Sequence, residues 1–174
     1  MNIKISLITV CLNSEKTISK TLNSLYSQKY QNIEHIIIDG GSSDSTMEII
    51  NNLKKPFTKI ISEPDKGIYD ALNKGIEFSS GEIIGILHSD DHYFDENVIS
   101  KVVENFNGQY IDSLITNVFF EDKRNKDFFY RRIFASRFEP WKMRFGLMPA
   151  HPGIFLKKNV YEKFGLYSTE YLIA

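Results

Sequence analysis

The chain has 174 residues, enough for one domain with a true hydrophobic core and too few for two full ones. Apolar residues make up 42% and charged residues 25%, the balance of an ordinary globular protein. Its 21 basic and 22 acidic side chains nearly cancel, which excludes a bulk electrostatic preference for nucleic acid.

Residues 3–10, "IKISLITV", are β-branched and bounded by Asn13 and Ser14, so they predict a first strand. No basic region followed by a long apolar core precedes them, which argues against a signal peptide and for a cytoplasmic chain. The single cysteine, Cys11, has no partner for an internal disulfide and reads as a small buried hydrophobe in a reducing compartment. Ile18, Leu22 and Leu25 then fall at helical spacing, with Ser14 placed as an N-cap. Residues 33–39 predict a second strand, "GGSSDS" a turn, and Met47, Ile50 and Leu53 a second helix. Residues 57–62 predict a third strand, "EPDKG" a loop, and Ile68, Leu72 and Ile76 a third helix. "EIIGIL", residues 82–87, is the fourth strand, and a helix is expected over 97–106.

Strand and helix alternating in units of roughly thirty residues imply right-handed crossovers and a mostly parallel α/β sheet flanked by helices. After residue 110 the pattern changes. "SLITNVFF", "KDFFYRRIF" and "GIFLKK" read as strands of a smaller mixed-sheet C-terminal part of the same single domain, residues 1–174. Residues 126–145 interleave aromatic side chains with Arg131, Arg132, Arg137, Lys142 and Arg144. That mixture suits either a peripheral lipid contact or a packed strand and helix with solvated basic edges.

Ligands of open parallel sheets sit beyond the carboxyl ends of the strands. Residues 9–13, 39–44, 63–67 and 89–92 follow the strands directly, so these polar loops are expected along one edge. Asp90 and Asp91 belong to that edge, and two adjacent like charges need a positive partner. A hard divalent cation, Mg²⁺ or Mn²⁺, shared with phosphate oxygens would supply it, while capping of the following helix is the plainer use of the same pair. Asp39 before "GGSSD" is suited to accept N–H or ribose hydroxyl donors, or to close an Asx turn.

Taken in order, "TVCLNSEKTI", "DGGSSDST", "SEPDKGIYDALNKGI", "GEIIGILHSDD" and "AHPGIFLKK" resemble the inverting family 2 glycosyltransferases of bacterial polysaccharide synthesis. The resemblance spans essentially the whole chain and implies the GT-A fold of nucleotide-diphospho-sugar transferases. It implies a nucleotide-sugar-binding half over residues 1–110 and the start of an acceptor-side half over 111–174. Thr9, Asn13 and Glu15 match the first nucleotide-binding segment, and Asp39 the aspartate that recognises the base, usually uracil. Asp65 and Lys66 match a donor-site loop that Asp70, Asn73 and Lys74 continue into the next helix. Asp90 matches the ribose-side carboxylate, and Asp91 the metal ligand of a DxD-type motif, for which Mn²⁺ or Mg²⁺ is implied. His151 in "PAHPG" matches a position near the donor diphosphate and acceptor, and is equally a loop histidine between Pro149 and Pro152.

The implied reaction moves a sugar from a UDP-sugar to the hydroxyl of a saccharide or lipid-linked saccharide, with inversion. The family's general base follows a segment like "FGLYSTEYLIA" and is expected beyond Ala174, while Glu170 does not match it. A catalytically incomplete nucleotide-sugar-binding module is the alternative. A nucleotidyltransferase fits less well, since "CLNSEK" lacks a glycine-rich phosphate loop.

Overall fold

Short runs rich in Ile and Val form the strands here, and the segments with apolar residues three and four apart form the helices between them. The computed structural model describes residues 2–108, 110–122 and 129–170. The first half runs β1 (Ile5–Cys11), α1 (Ile18–Tyr26), β2 (Ile33–Asp39), α2 (Thr46–Leu53), β3 (Thr58–Ser62), α3 (Ile68–Phe78), β4 (Ile83–Ile86) and α4 (Val98–Gly108). It continues with β5 (Ser113–Ile115), β6 (Val118–Glu121), β7 (Phe129–Ile133), a set of 3₁₀ turns, β8 (Ile154–Lys157) and α5 (Lys158–Phe164).

The main sheet has 6 strands in the order β3-β2-β1-β4-β8-β5, and β6 and β7 form a separate pair. β3, β2, β1 and β4 are parallel, whereas β8 runs antiparallel between β4 and β5. Every residue of β1 and of β2 is buried, as expected of central strands covered on both faces. Ile18, Leu22, Ile37 and Ile50 pack α1 and α2 on one face, where Val102, Val103 and Phe106 of α4 join Leu7 and Phe155. Ala71, Leu72 and Ile76 of α3 pack on the other face against Ile8, Ile36 and Ile84. Burial of each such side chain contributes about 1.5–3 kcal/mol. The α/β expectation is met, and the folding units follow the crossover rule.

The C-terminal part differs from expectation. "SLITNVFF" is two strands in two sheets, because the chain leaves the main sheet between Ile115 and Val118. The mixed character therefore lies in the main sheet, and the small sheet is purely antiparallel. β8 fits beside β4 because Gly85 has no side chain; a Cβ there would lie 2.6 Å from the buried Phe155 ring. Ser14 is not the cap of α1 either. Thr17 holds that position, the Ser14 carbonyl accepts from Thr17 and Ile18, and its hydroxyl hydrogen-bonds Ser89 at 2.8 Å.

Residues 126–128 of the aromatic-basic stretch lie outside the described residues; the remainder is β7 followed by 3₁₀ turns that leave Trp141, Phe145 and Met148 exposed. Among the described residues no helix is long and apolar enough to cross a membrane.

Three polar residues of β2 are buried inside this frame, Glu34, His35 and Asp39. Near the start of the strand, Glu34 is 4% exposed and accepts from Lys59 (2.7 Å), the Ser6 hydroxyl (2.6 Å) and the Ser80 amide (2.7 Å), with Lys4 at 3.4 Å. Beside it His35, wholly buried, bonds Thr9 Oγ1 through Nε2 at 3.0 Å and the Tyr26 hydroxyl through Nδ1 at 3.2 Å.

Candidate active site

The carboxyl ends of β1, β2, β3 and β4 share one edge, and side chains of their loops stitch it together. Asn13 turns the chain with φ 49, a left-handed conformation that asparagine tolerates. Its side-chain oxygen accepts from the Ser43 amide at 2.9 Å, while its own amide donates to the Ser42 hydroxyl at 2.8 Å. Glu15 accepts from the Ser45 amide at 3.1 Å and donates its backbone N–H to Asp44 at 3.2 Å. Thr21 of α1 donates to the carbonyls of Ser89 (2.9 Å) and Asp91 (2.7 Å), which fixes the loop after β4. A polar chamber of about 510 Å³ opens there, between residues 13–17, Asp44, Ser89 and Asp90.

Asp90 is exposed and Asp91 is half-buried. Burial and the adjacent Asp90 charge push the Asp91 carboxyl up to about 6, against the pull of the His88 backbone amide. No described side chain donates a hydrogen bond or forms an ion pair with either carboxylate. Among the described residues no three His, Cys, Asp or Glu side chains form a complete metal cage. A hard cation that shares its ligands with phosphate needs only one or two carboxylates, so the uncompensated pair fits that mode. The His88 and His151 rings lie 6.4 Å apart, and the His151 ring is 6.4 Å from that of Tyr167. Burial holds both imidazoles below their ordinary value, for His88 with help from His151, so both are neutral at neutral pH. His151 is thus a member of an aromatic cluster at this edge rather than a ring held only between prolines.

The other predicted residues separate into those at the edge and those diverted elsewhere. Asp39 is fully buried and closes the Asx turn, accepting from the Gly41 and Ser42 amides and from the Ser42 and Ser62 hydroxyls. Asp65 accepts from the Gly67 amide at 2.9 Å and lies directly over Gly40, where a Cβ would meet its carboxylate at 2.5 Å. The Lys66 amide donates to Asp70 at 3.1 Å, and Lys74 bridges Asp70 (3.4 Å) and Glu63 (2.9 Å). Thr9 is not at the edge. Strand alternation turns it into the layer with Leu7 and Cys11, where it partners His35.

Asn73 is diverted as well. Its amide donates to the Tyr167 carbonyl at 2.8 Å and its oxygen accepts the Tyr167 N–H at 2.9 Å. Tyr167 also stacks on Tyr69 at 5.7 Å. Asn73 therefore tethers the segment after α5 to α3. Asn73→Ala is expected to cost about 1–2 kcal/mol, for two hydrogen bonds lost from half-buried groups. Melting should fall by about 2–8 °C and the Tyr167 amide should exchange faster by hydrogen-exchange NMR. Unchanged exchange at Tyr167 would refute the tether. Sequence reading missed His88, Ser89, Tyr69 and Tyr167; of these, only His88 and Ser89 stood beside the acid pair, in "LHSDDH".

A glycosyltransferase of Mycobacterium tuberculosis with no assigned activity is 38% identical over 106 residues, covering 60% of this chain and 40% of its own. The PGL/p-HBAD biosynthesis glycosyltransferase of Mycobacterium bovis is 26% identical over 172 residues, 97% of this chain and 64% of its own. This chain thus spans less than two thirds of either relative's length. Among solved structures, S. aureus TarS 1-349 in complex with UDP-GlcNAc superposes with TM-score 0.76 at 20% identity, over 93% of this chain and 47% of TarS. A mannosyltransferase of Pyrobaculum calidifontis in complex with GDP-Man and Mn²⁺ gives TM-score 0.73 at 16% identity, over 97% of this chain and 48% of its own. Both likenesses establish the GT-A fold. The description "Glycosyl transferase family 2" matches residues 6–171, nearly the whole sequence, and the chain belongs to that family.

Proposed function

We propose that the chain binds a nucleotide-diphospho-sugar, a UDP-sugar, along the edge where β1 to β4 end. It transfers the sugar with inversion to a hydroxyl of a saccharide or lipid-linked saccharide in cell-surface polysaccharide synthesis. One observation carries this reading: Asp90 and Asp91 stand together at the end of β4, and no described cation compensates either carboxylate. Mn²⁺ or Mg²⁺ held by Asp91 would supply Lewis-acid stabilisation of the charge that develops on the leaving diphosphate. Asp90 and Asn13 would orient the ribose side of the donor, and the neutral His88 and His151 would offer N–H donors to phosphate oxygens. Asp39 would receive the base N–H in place of the Ser62 hydroxyl, which donates to it from β3. Asp65, Lys66, Asp70 and Lys74 form a mutually bonded loop that would border the donor. The UDP-GlcNAc in complex with TarS and the GDP-Man and Mn²⁺ in complex with the Pyrobaculum calidifontis mannosyltransferase support this donor class. The acceptor proton needs a general base on the face opposite the leaving diphosphate.

Thermal-shift titration with UDP, GDP and dTDP, each with and without Mn²⁺, tests the proposal. UDP with Mn²⁺ at about a hundred times its dissociation constant should raise the melting temperature by about 5–10 °C. Asp91→Ala should abolish the metal-dependent part. An equal metal-dependent shift in that variant would reduce Asp91 to a helix-capping acid.

A further inference from the structure

Beyond the acid pair lies a second and larger chamber of about 860 Å³, within the range of small-molecule sites. Its lining is mixed: an apolar wall from Val98 and Val102 of α4, Leu114 of β5 and a group of phenylalanines lies alongside polar side chains such as His92, Asn105 and Asn117. Phe119 of β6 has its ring 5.4 Å from Phe129 of β7 and 5.7 Å from Phe94 of the loop that carries the aspartates. Phe94 is nonetheless 69% exposed, an apolar ring held at an open wall with no chain covering it among the described residues. Tyr93, at the same wall, carries the one buried side-chain oxygen that lacks a hydrogen-bond partner among the described residues. Such an orphan in an otherwise satisfied interior calls for a ligand or water. Asp90 and Thr17 line both chambers, so the two meet at Asp90, next to the proposed metal ligand Asp91, which lines the second.

We infer that the second chamber seats the apolar aglycone of the acceptor, with the acceptor's sugar hydroxyls at the Asp90–Asp91 rim. This rests on the donor reading above and adds to it what the acceptor must carry: a hydrophobic group joined to a saccharide. The chemistry is the same whether that group is an aryl ring, which would lie among Phe94, Phe119 and Phe129, or an alkyl chain of a lipid. A bare saccharide would leave these walls unfilled and gain nothing from them. Lys20 and Lys101 at the rim, paired with Glu121 and Asp95, give the mouth the mixed polarity such a molecule needs.

Binding of three β-D-glucosides to the 174-residue chain, measured by calorimetry and by saturation-transfer NMR below their micelle concentrations, tests the inference. Octyl or p-nitrophenyl glucoside should bind at least tenfold more tightly than methyl glucoside. Preference for octyl would identify a lipid source and preference for p-nitrophenyl an aryl one. Phe94→Ser should remove the preference by opening the wall, and Val98→Trp should remove it by filling the chamber. Equal affinity for all three glucosides, or a preference that survives both substitutions, would overturn the inference. UDP with Mn²⁺ measured on the same samples reports the donor reading separately: nucleotide binding without aglycone preference refutes the chamber alone.

Discussion

Replacing Glu34 with alanine should lower unfolding free energy by about 2–5 kcal/mol, at about 1–3 kcal/mol for each buried donor left without its acceptor. Burial alone would raise this carboxyl, but the bonds from Lys59, Ser6 and Ser80 outweigh it and hold the group at about 2, below its ordinary value of 4.5. That gap corresponds to about 3 kcal/mol in favour of the ionised folded form. Lys4 and Lys59 are 40% and 54% exposed and would return to water, so neither cation would be stranded. What would be stranded is the Ser6 hydroxyl and the Ser80 amide, which donate to Glu34 at 2.6 and 2.7 Å. The folded value lies below the unfolded one, so this stabilisation is complete above about pH 4.5 and disappears as pH falls toward 2. Urea unfolding at about pH 7 measures the loss; a deficit under about 1 kcal/mol would mean that the network contributes little.

His35 should give the chain a second, separate acid sensitivity at higher pH. Burial pushes its imidazole down to about 3 from the ordinary value of 6.5, so the folded state keeps it neutral while the unfolded chain takes up a proton. The folded value is again the depressed one. Stability from this group is complete above about pH 6.5 and is lost at about 1.4 kcal/mol per pH unit as pH falls toward 3. Asp91 runs the other way, because its folded value of about 6 lies above the ordinary value of 3.8. The wild-type profile therefore mixes opposing contributions, and the difference from His35→Gln isolates one of them. The variant should be less stable than the parent near pH 7, through poorer bonding to Thr9 and Tyr26. By about pH 5 that deficit should shrink by about 2 kcal/mol. Paired urea titrations at the two pH values decide the matter; a deficit independent of pH would show that His35 protonates in the folded protein.

What the amino-acid order revealed followed from local periodicity. β2 was legible residue for residue because seven consecutive β-branched or buried positions end at Asp39 and a glycine turn. The helices were legible as stripes, and the edge assembly followed from strand direction alone. The failures all concern long-range placement. Whether Thr9 faces the edge or the layer beneath α1 depends on strand parity relative to the turn. The role of Asn73 depends on a partner 94 positions away, and no local pattern announces it. "SLITNVFF" reads as one run because its break, at Thr116 and Asn117, is set by pairing with β8 and β7, not by a turn signature. Asp91 was legible as a residue, but its burial was not.

The insertion of β8 between β4 and β5 also governs how the protein is made. On the ribosome, the strand that carries the acid pair emerges with one margin bare, and its second neighbour is not synthesised until residues 154–157 leave the exit tunnel. At ordinary elongation speeds the wait is on the order of ten seconds. Throughout it, Ile83, Ile84 and Gly85 offer unpaired backbone groups to any passing strand. The nascent chain is most prone to aggregate in that interval, and the late hairpin-like closure, rather than the early parallel core, ends the exposure.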